Sequence, residues 1–395
     1  MTFPRPNRGP RMTISRRQLL ARAGALGAAG FSLPALLSAC GGDDDGGDAT
    51  GEPTGGGTAP EPTAEPTGGG GGGGSLTFDN WTFYIDPTED GNIGTVDRFR
   101  EATGIDVQYR EVINSNNEFF AQIQPVLGRG ETIEADIIAP TSWLAGRLIN
   151  LGWVDPIPFD QIPNSANLVE GYRNPAWDPT GEYSLPWQGG FAGICYNIDV
   201  TGRELTSIED LWDPEFAGRI GINTEMRDTI GLIAMSLGIN IEELQTFDDA
   251  APAFERLEQA KADGLIRRFH GNDYGDDLTN GNFAACIGWS GDVIQLALDN
   301  PAVRFAFPES GATSWADTML IPKGSPNRDA AAQWMNFVYD PVEAAQITAY
   351  VAFISPVAGV REELEALDPE LASNPLMFPD EATVANSQGF AILSE

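Results

Sequence analysis

From residue 76 onward, short apolar stretches alternate with amphipathic segments, a pattern typical of an α/β protein. Residues 76–78 predict a first strand. Val96 and Phe99 lie three positions apart, which predicts a helix that Gly104 can end. Residues 105–109 alternate apolar and polar side chains and therefore predict a second strand.

The next segment continues this alternation of elements. Phe119, Ile123 and Leu127 have helical spacing, although Pro125 is expected to kink or end that helix. Residues 135–139 predict a third strand. Because strands and helices alternate along the chain, we expect a parallel sheet with helices on its faces.

A second α/β stretch follows the first. Strands are predicted at 218–222 and 283–289, and helices at 229–237 and 330–339. The chain is long enough for two lobes with a cleft between them, each lobe built on a mostly parallel sheet. Ligands of such sheets collect beyond the carboxyl ends of the strands.

The net charge of −34 argues against a nucleic-acid partner, because phosphate binding needs clustered Lys and Arg. Three cysteines are too few for a disulfide-dense scaffold. The single histidine, His270, rules out a multi-histidine metal site. We therefore expect no metal and no cofactor.

Residues 1–40 have the features of an export signal. Arg16 and Arg17 precede an apolar run at 23–39, and the run ends in Leu37-Ser38-Ala39-Cys40. The paired arginines are typical of a twin-arginine signal. A transmembrane helix is the alternative, but a run of this length is marginal for a span. The last four residues resemble the lipobox of bacterial lipoproteins, which implies lipidation at Cys40.

Residues 41–75 predict a disordered tether. They contain 15 glycines and four prolines, with Thr, Asp and Glu between them, so they have almost nothing to bury. A lipid anchor followed by this tether places the folded part outside the cytoplasm, close to the cell membrane.

Three strings of residues in the folded part resemble one protein family. They are Asn80-Trp81-Thr82-Phe83-Tyr84, the segment 208–220 that contains Leu211-Trp212-Asp213-Pro214, and Trp334-Met335-Asn336-Phe337. The first is similar to the opening motif of the spermidine/putrescine-binding proteins of ABC importers. The second is similar to a signature shared widely by solute-binding proteins, and the third resembles a late helix of the same group. The resemblance implies two lobes joined by crossing strands, which close on a ligand like a clamp.

The resemblance also implies boundaries for the two lobes. Crossings are expected near 188–194, 312–317 and 361–366. Lobe one would comprise 76–188 and 316–361, and lobe two would comprise 193–312 and 365–395.

A polyamine needs carboxylates for its ammonium groups and aromatic faces for its methylenes. The resemblance implies four amine ligands, which are Glu225, Asp228, Asp292 and Asp317. Glu225 and Asp228 lie three apart on one face of a helix start. Acids there also favour the helix dipole, and capping roles are the alternative for Asp292 and Asp317.

Position at strand ends and the same resemblance select the other ligand-binding candidates: Trp81, Thr82, Tyr84, Thr141, Trp143, Trp289 and Trp315. Phe353 takes the place of a family tyrosine, so it can stack on a ligand but has no hydroxyl to hydrogen-bond with it. Trp212 and Trp334 are expected to lie in the core.

The main departure from the family pattern is Phe83, where polyamine binders carry an acid. Either Asp79 or Asp86 replaces that acid, or the ligand carries fewer or differently placed positive charges. Cys195 and Cys286 both lie in apolar strands and can pair outside the cell, but buried free thiols are the favoured expectation.

These observations favour an extracytoplasmic receptor that captures a polyamine and delivers it to an ABC permease. It is expected to act as a monomer and to do no chemistry. A receptor for a metal chelate, a sugar or a quaternary amine is one alternative. A secreted hydrolase with two cleft acids is another, although the chain has no G-x-S-x-G motif.

Overall fold

The computed structural model describes residues 74–89 and 92–392. The predicted signal peptide, the lipidation site Cys40 and the tether as far as residue 73 lie outside the described residues. Ser75 was expected to end the tether, but it begins the first strand, because its backbone pairs with that of Asp106.

The strands are β1 (Ser75–Trp81), β2 (Asp106–Ile113), β3 (Ile137–Ile138), β4 (Val154–Asp155), β5 (Ser184–Asn197), β6 (Ile220–Asn223), β7 (Ile266–His270), β8 (Ala285–Trp289), β9 (Val303–Ala306), β10 (Ala312–Pro322) and β11 (Ser387–Gln388). The α-helices are α1 (Thr95–Thr103), α2 (Asn116–Leu127), α3 (Ser142–Asn150), α4 (Ile198–Thr201), α5 (Met226–Ser236), α6 (Phe247–Ala262), α7 (Gly275–Thr279), α8 (Ser290–Asp299), α9 (Arg328–Val338), α10 (Pro341–Val351), α11 (Val360–Leu367), α12 (Pro369–Ala372) and α13 (Glu381–Ala385).

The predicted alternation of strands and helices is confirmed in the first stretch. Helix α1 ends at Gly104, whose φ of 76° lies in the left-handed region that glycine adopts without strain. Pro125 lies in the last turn of α2, where it removes one backbone hydrogen bond to the preceding turn, and the helix ends at Leu127. Strand β3 is shorter than predicted.

The strands form one curled sheet in the order β2-β1-β3-β10-β5-β8-β6-β7. At one side β1 pairs in parallel with β2 and β3, and at the other β6 pairs in parallel with β7 and β8. The long strands β5 and β10 run antiparallel to each other between these two groups. The mixed α/β fold with two parallel groups of strands agrees with the prediction.

The first two crossings were expected within the segments that form the long strands β5 and β10. Leu185 of β5 pairs with β10 close to β3, whereas Ala192 of the same strand pairs with Trp289 of β8. Each long strand therefore contributes residues to both halves of the molecule, and residues in the middle of the strand lie between the halves.

The third crossing was expected at 361–366, and the packing of this segment favours a later boundary. This segment lies in α11, and Val360 and Leu364 are buried in the core around β1. Apolar residues four positions apart share one helix face, which explains why the segment packs as a helix. Leu371 and Met377 lie in the same core, so the packing places residues 365–377 with the first half.

Two large cores support the two halves. The core around β1 includes Phe78, Phe99 and Trp334, and the core around β6 includes Ile222 and Trp212. Trp212 and Trp334 are thus core residues, as predicted. Within residues 74–89 and 92–392, the helices are too short or too polar to cross a bilayer.

Candidate functional site

The polar ends of several strands meet between the two halves. Trp81 is the last residue of β1, and Thr141 follows β3 and precedes α3. From the other half, Trp289 ends β8, and Glu225 precedes α5 just after β6. Because the carboxyl ends of parallel strands share one edge, the fold brings these residues to the strand β10 that carries Asp317.

Asp317 is buried between the halves. Thr141 donates its hydroxyl to Asp317 Oδ1 at 2.7 Å, and Asn116 Nδ2 donates in turn to Thr141 Oγ1 at 2.8 Å. Burial raises the pKa of Asp317 to about 7, against the lowering effect of Thr141 and Tyr84. The charges of Glu225 and Asp228 raise it further.

Asp228 lies in the first turn of α5 and is buried. Thr313 of β10 donates to its Oδ1 at 2.6 Å, and Trp289 Nε1 donates to its Oδ2 at 3.1 Å. Burial raises its pKa to about 6 even though both hydrogen bonds stabilise the charged form.

Glu225 keeps part of its surface accessible, but the surrounding protein desolvates its carboxylate. Burial, followed by the charge of Asp228, raises its pKa to about 7. The backbone N–H of Asn116 donates to Glu225 Oε1 at 3.4 Å, so this contact joins the two halves.

Glu225, Asp228 and Asp317 form one electrostatically coupled group, which we call the carboxylate trio. All three pKa values are raised by burial, and the mutual repulsion of the acids adds to this effect at Glu225 and Asp317. Two cations that enter the group would remove the repulsion and pair with desolvated carboxylates, which is a favourable arrangement for ammonium groups.

Aromatic side chains lie beside the carboxylate trio. The ring centroids of Trp315 and Phe353 are 5.3 Å apart, and those of Tyr84 and Phe353 are 5.7 Å apart, each pair in an edge-to-face arrangement. Trp289 is partly buried and is held by its bond to Asp228. These rings offer apolar faces for the methylenes of an alkyl ligand.

Trp81 and Thr82 are partly buried at the end of β1. Trp81 Nε1 donates to Ala139 O at 2.9 Å, and its ring packs against the core around β1. This hydrogen bond fixes the orientation of the indole next to the residues that follow β3.

Trp143 differs from the expected open ligand wall. It is buried in α3, and the guanidinium of Arg227 lies 4.3 Å from its ring centroid. Burial, with a contribution from Arg147, lowers the pKa of Arg227 to about 10 against the raising effect of Glu225. A cation of the protein itself therefore covers this aromatic face.

Asp292 is linked to the carboxylate trio through Trp289. Tyr274 donates its hydroxyl to Asp292 Oδ2 at 2.8 Å and accepts a hydrogen bond from the backbone N–H of Trp289 at 3.1 Å. The structure thus couples three of the four predicted carboxylates directly and connects the fourth to them through Tyr274 and Trp289.

Neither acid near Phe83 is available to replace the missing carboxylate. Asp79 accepts two hydrogen bonds from Arg110, at 2.5 and 2.9 Å. Asp86 forms a buried ion pair with Arg98 at 3.0 Å. Each of them already has a cation of the protein as its partner, which favours the other alternative, a ligand with fewer or differently placed positive charges.

Cys195 and Cys286 are free, fully buried thiols that lie directly opposite each other in strands β5 and β8. His270 is buried beside them, with its ring centroid 4.9 Å from that of Tyr274. The favoured expectation of buried thiols agrees with this arrangement, and the histidine has a core position.

Sequence reasoning missed Asn116 and Thr313, which hold Thr141 and Asp228 in place. Asn116 follows β2 at the same sheet edge as Trp81, so the rule of strand ends could have found it. Thr313 carries no local signal, because its partner lies 85 positions away in the chain. Among the described residues, no group of His, Cys, Asp and Glu is placed to hold a metal ion.

Comparison with known proteins identifies the class. A family model described as bacterial extracellular solute-binding protein matches residues 94–379, so the chain belongs to this family. The spermidine/putrescine-binding periplasmic protein of Escherichia coli is 24% identical over 315 residues, which cover 80% of this chain and 86% of that protein. The putrescine-binding periplasmic protein PotF of the same organism is 27% identical, with coverage of 77% and 83%.

Solved structures show the same fold. The spermidine/putrescine ABC transporter substrate-binding protein PotD from Streptococcus pneumoniae has a TM-score of 0.67 and 26% identity, covering 80% of this chain and 93% of its own. A putative spermidine/putrescine ABC transporter protein from Listeria monocytogenes has a TM-score of 0.72 and 24% identity, with coverage of 81% and 94%. The predicted two-lobed α/β fold of periplasmic binding proteins is confirmed by these neighbours.

Proposed function

We propose that this protein is the extracytoplasmic receptor of an ABC importer and that its ligand is a polyamine of the putrescine or spermidine type. The proposal is carried by the carboxylate trio, since three desolvated acids share one site and raise one another's energy. The names of relatives that bind putrescine and spermidine support it. The receptor role involves binding and release to a permease, without catalysis.

The two ammonium groups of a diamine match the charges of the site. One ammonium would pair with Asp317, and the other with Glu225 and Asp228 near the start of α5. Trp289, Trp315 and Phe353 would cover the alkyl chain between them. A neutral sugar would leave the repulsion within the carboxylate trio uncompensated, so the site favours a cation over a sugar.

We assign the two lobes from the packing of the cores. Lobe one would comprise 76–188 with 316–377, and lobe two would comprise 193–312, with β5 and β10 as the connecting strands. The hydrogen bond between Asn116 and Glu225 joins the lobes at the site, so ligand binding is expected to favour the closed form.

Attachment to the membrane is proposed through Cys40, on the sequence pattern of residues 37–40. The Cys40→Ala variant should appear in the soluble extracytoplasmic fraction of the native host, whereas the unchanged protein stays with the membrane. An unchanged protein that is soluble and carries no lipid would contradict this part of the proposal.

The identity of the ligand is tested by comparing the binding of several candidate compounds. Thermal unfolding of the purified protein is followed with putrescine, spermidine, choline, a monosaccharide and a ferric chelate, because a ligand that binds only the folded state raises the melting temperature. We expect putrescine or spermidine to give the largest increase. An increase with the sugar or the chelate alone would contradict the polyamine proposal, and release of a product from a glycoside would favour the hydrolase.

A further inference from the structure

The last described residues of the chain lie across both halves of the molecule. Phe390 packs against the core around β1, against the core of α2 and α3, and against the core around β6. The two lobes assigned from packing comprise residues only as far as 377, so neither of them includes residues 387–392. We call residues 387–392 the C-terminal strap.

Hydrogen bonds attach the C-terminal strap to lobe two. Ser387 and Gln388 pair in parallel with the end of β10 that belongs to lobe two. The backbone N–H of Ile241 donates to Gln388 Oε1 at 2.8 Å. The backbone N–H of Gly389 donates to Glu242 Oε1 at 2.9 Å. These bonds do not depend on closure of the cleft, because their partners all lie in one lobe.

The contact of the strap with lobe one is apolar instead. Ile392 lies against Gly146 of α3, where a Cβ atom would be 3.3 Å from Ile392 Cγ2 and 3.2 Å from the Cβ of Trp177. The close approach therefore depends on the absence of a side chain at residue 146. Apolar contacts separate without leaving a buried polar group unpaired, so the strap can leave lobe one more easily than lobe two.

The strap reaches the place where the two lobes meet beside the candidate site. Arg227 Nη1 donates to the backbone oxygen of Ala391 at 3.2 Å. The same guanidinium lies over the ring of Trp143 in lobe one. Arg227 lies within the chain segment that carries Glu225 and Asp228, so an opening that separates α5 from α3 must also separate the strap from lobe one.

We propose, on the basis of the proposed function, that the C-terminal strap is a latch. It stays attached to lobe two, contacts lobe one when the cleft closes, and sets the rate at which the ligand leaves. The carboxylate trio selects the charge of the ligand, whereas the latch stabilises the closed form through apolar contacts. Loss of the latch should therefore act on the dissociation rate rather than on the choice of ligand.

The first test measures putrescine dissociation from the full-length protein by stopped-flow tryptophan fluorescence. Phe390→Ala removes the ring that lies between the lobes, so less apolar surface is buried in the closed form. We expect the dissociation rate constant to increase about fivefold or more. Val384→Ala is the control, because Val384 lies on α13 in the same C-terminal region and is 53% exposed, and it should leave the rate unchanged.

The second test fixes the latch in place. Gly146→Cys combined with Ile392→Cys puts two thiols where the strap meets lobe one. Oxidation of this double variant with oxidised glutathione should slow putrescine dissociation about tenfold or more, and dithiothreitol should restore the original rate. Wild-type protein given the same treatment is the control, since its own Cys195 and Cys286 are fully buried.

Amide hydrogen exchange tests the latch without a ligand. The backbone N–H of Asn116 has its acceptor, Glu225, in the other lobe, so it should exchange faster in empty Phe390→Ala than in the empty wild type. Peptides from the core around β6 should exchange at the wild-type rate. Equally faster exchange in that core would overturn the latch, because it would show that Phe390 only supports the fold.

Two further outcomes would overturn the inference and leave the proposed function intact. One is putrescine dissociation from Phe390→Ala within about twofold of the wild-type rate. The other is an oxidised double variant that releases putrescine as fast as its reduced form. Wild-type protein that binds no amine would instead refute the proposed function, and unchanged exchange at Asn116 in Phe390→Ala would then overturn the latch as well.

Discussion

Two groups of charged side chains in this protein differ in whether a cation of the protein neutralises the acids. In the first half, Arg98 lies between two acids, 3.0 Å from Asp86 and 2.7 Å from Glu343, and all three side chains are largely buried. Burial lowers the pKa of Arg98, but the two acids more than offset that effect. In the carboxylate trio, by contrast, three desolvated acids share one site, and the charge of Arg227 lowers the pKa of Glu225 by less than burial and the charge of Asp228 raise it.

The difference separates a structural group from a binding group. The Asp86–Arg98–Glu343 group contains its own cation and connects α1 to α10 inside the core. The carboxylate trio has hydrogen-bond donors such as Thr141, Thr313 and Trp289, but these only partly compensate the lost hydration. A ligand that supplies cations is therefore expected to stabilise the second group and to have no direct effect on the first.

The largest expected effect follows from removal of Arg98. Arg98→Gln leaves two buried acids without a cation, which should lower the free energy of unfolding by about 3–5 kcal/mol. Denaturant unfolding measures this loss. Saturating putrescine should raise the stability of the variant and of the wild type by equal amounts, because the ligand does not contact this group.

Arg100→Gln on the same helix is the control. Arg100 is 51% exposed and pairs with Asp97 three positions away, so its replacement should change stability by less than about 1 kcal/mol. Equal losses in Arg98→Gln and Arg100→Gln would contradict the assignment of the first group as structural.

The second prediction concerns binding. Asp317→Asn keeps the shape of the side chain and its contact with Thr141, but removes the charge that pairs with an ammonium. Loss of one partner of a buried charge pair costs about 3–5 kcal/mol, which corresponds to at least roughly a hundredfold weaker binding. Calorimetry with putrescine measures the loss, and thermal unfolding shows whether the empty variant stays as stable as the wild type. The same measurement applies to single neutral variants of the four predicted acids, Glu225, Asp228, Asp292 and Asp317. If all four bind putrescine within about threefold of the wild-type affinity, the proposal of a cationic ligand is contradicted.

The third prediction concerns the stability of the empty protein. Loss of a charge weakens ligand binding, but in the empty protein it should increase the free energy of unfolding. Glu225 has an ordinary pKa of 4.5 and a folded-state pKa of about 7, so between these values the folded state binds more protons than the unfolded state. The free energy of unfolding therefore falls as pH rises through this window. Glu225→Gln removes the penalty and should be more stable than wild type at pH 8, by on the order of 1 kcal/mol.

At pH 4 this advantage should disappear, because Glu225 is then neutral in the folded protein. Glu255→Gln, which makes the same replacement at an exposed position on α6, serves as the control. Urea unfolding at pH 4 and pH 8 measures the free energy of unfolding of each variant. A Glu225→Gln variant that is less stable than wild type at pH 8 would contradict the repulsion within the carboxylate trio.

Local patterns were sufficient to predict much of the fold and the acids of the site. The helix that Gly104 ends and the alternation at 105–109 depend on neighbouring residues, so the sequence displays them. The acids of the site were predicted from a resemblance to family motifs. The boundary at 361–366 came from the family pattern, whereas the helical spacing of Val360 and Leu364 is visible in the sequence and agrees with the helix found there.

Partnerships between distant residues could not be predicted. Thr141 and Asp317 are 176 positions apart, and the pairing of β5 with β10 that places Gln188 opposite Asp317 is a property of the whole sheet. Arg227, which lies between Glu225 and Asp228 in the chain, has the appearance of a surface residue at a helix start. Its position over Trp143 becomes visible only when the two halves are packed together.

The most direct test of the central claim is the proton balance of binding. The pKa values of Glu225 and Asp317 are about 7 in the empty protein, so both acids are partly protonated at pH 6.5. An ammonium group that pairs with them favours the charged form and must displace these protons. Calorimetry of putrescine binding at pH 6.5, in two buffers that differ in ionisation enthalpy, should show a release of about one to two protons, and the release should vanish near pH 8.5. Identical binding enthalpies in the two buffers at pH 6.5 would contradict the account.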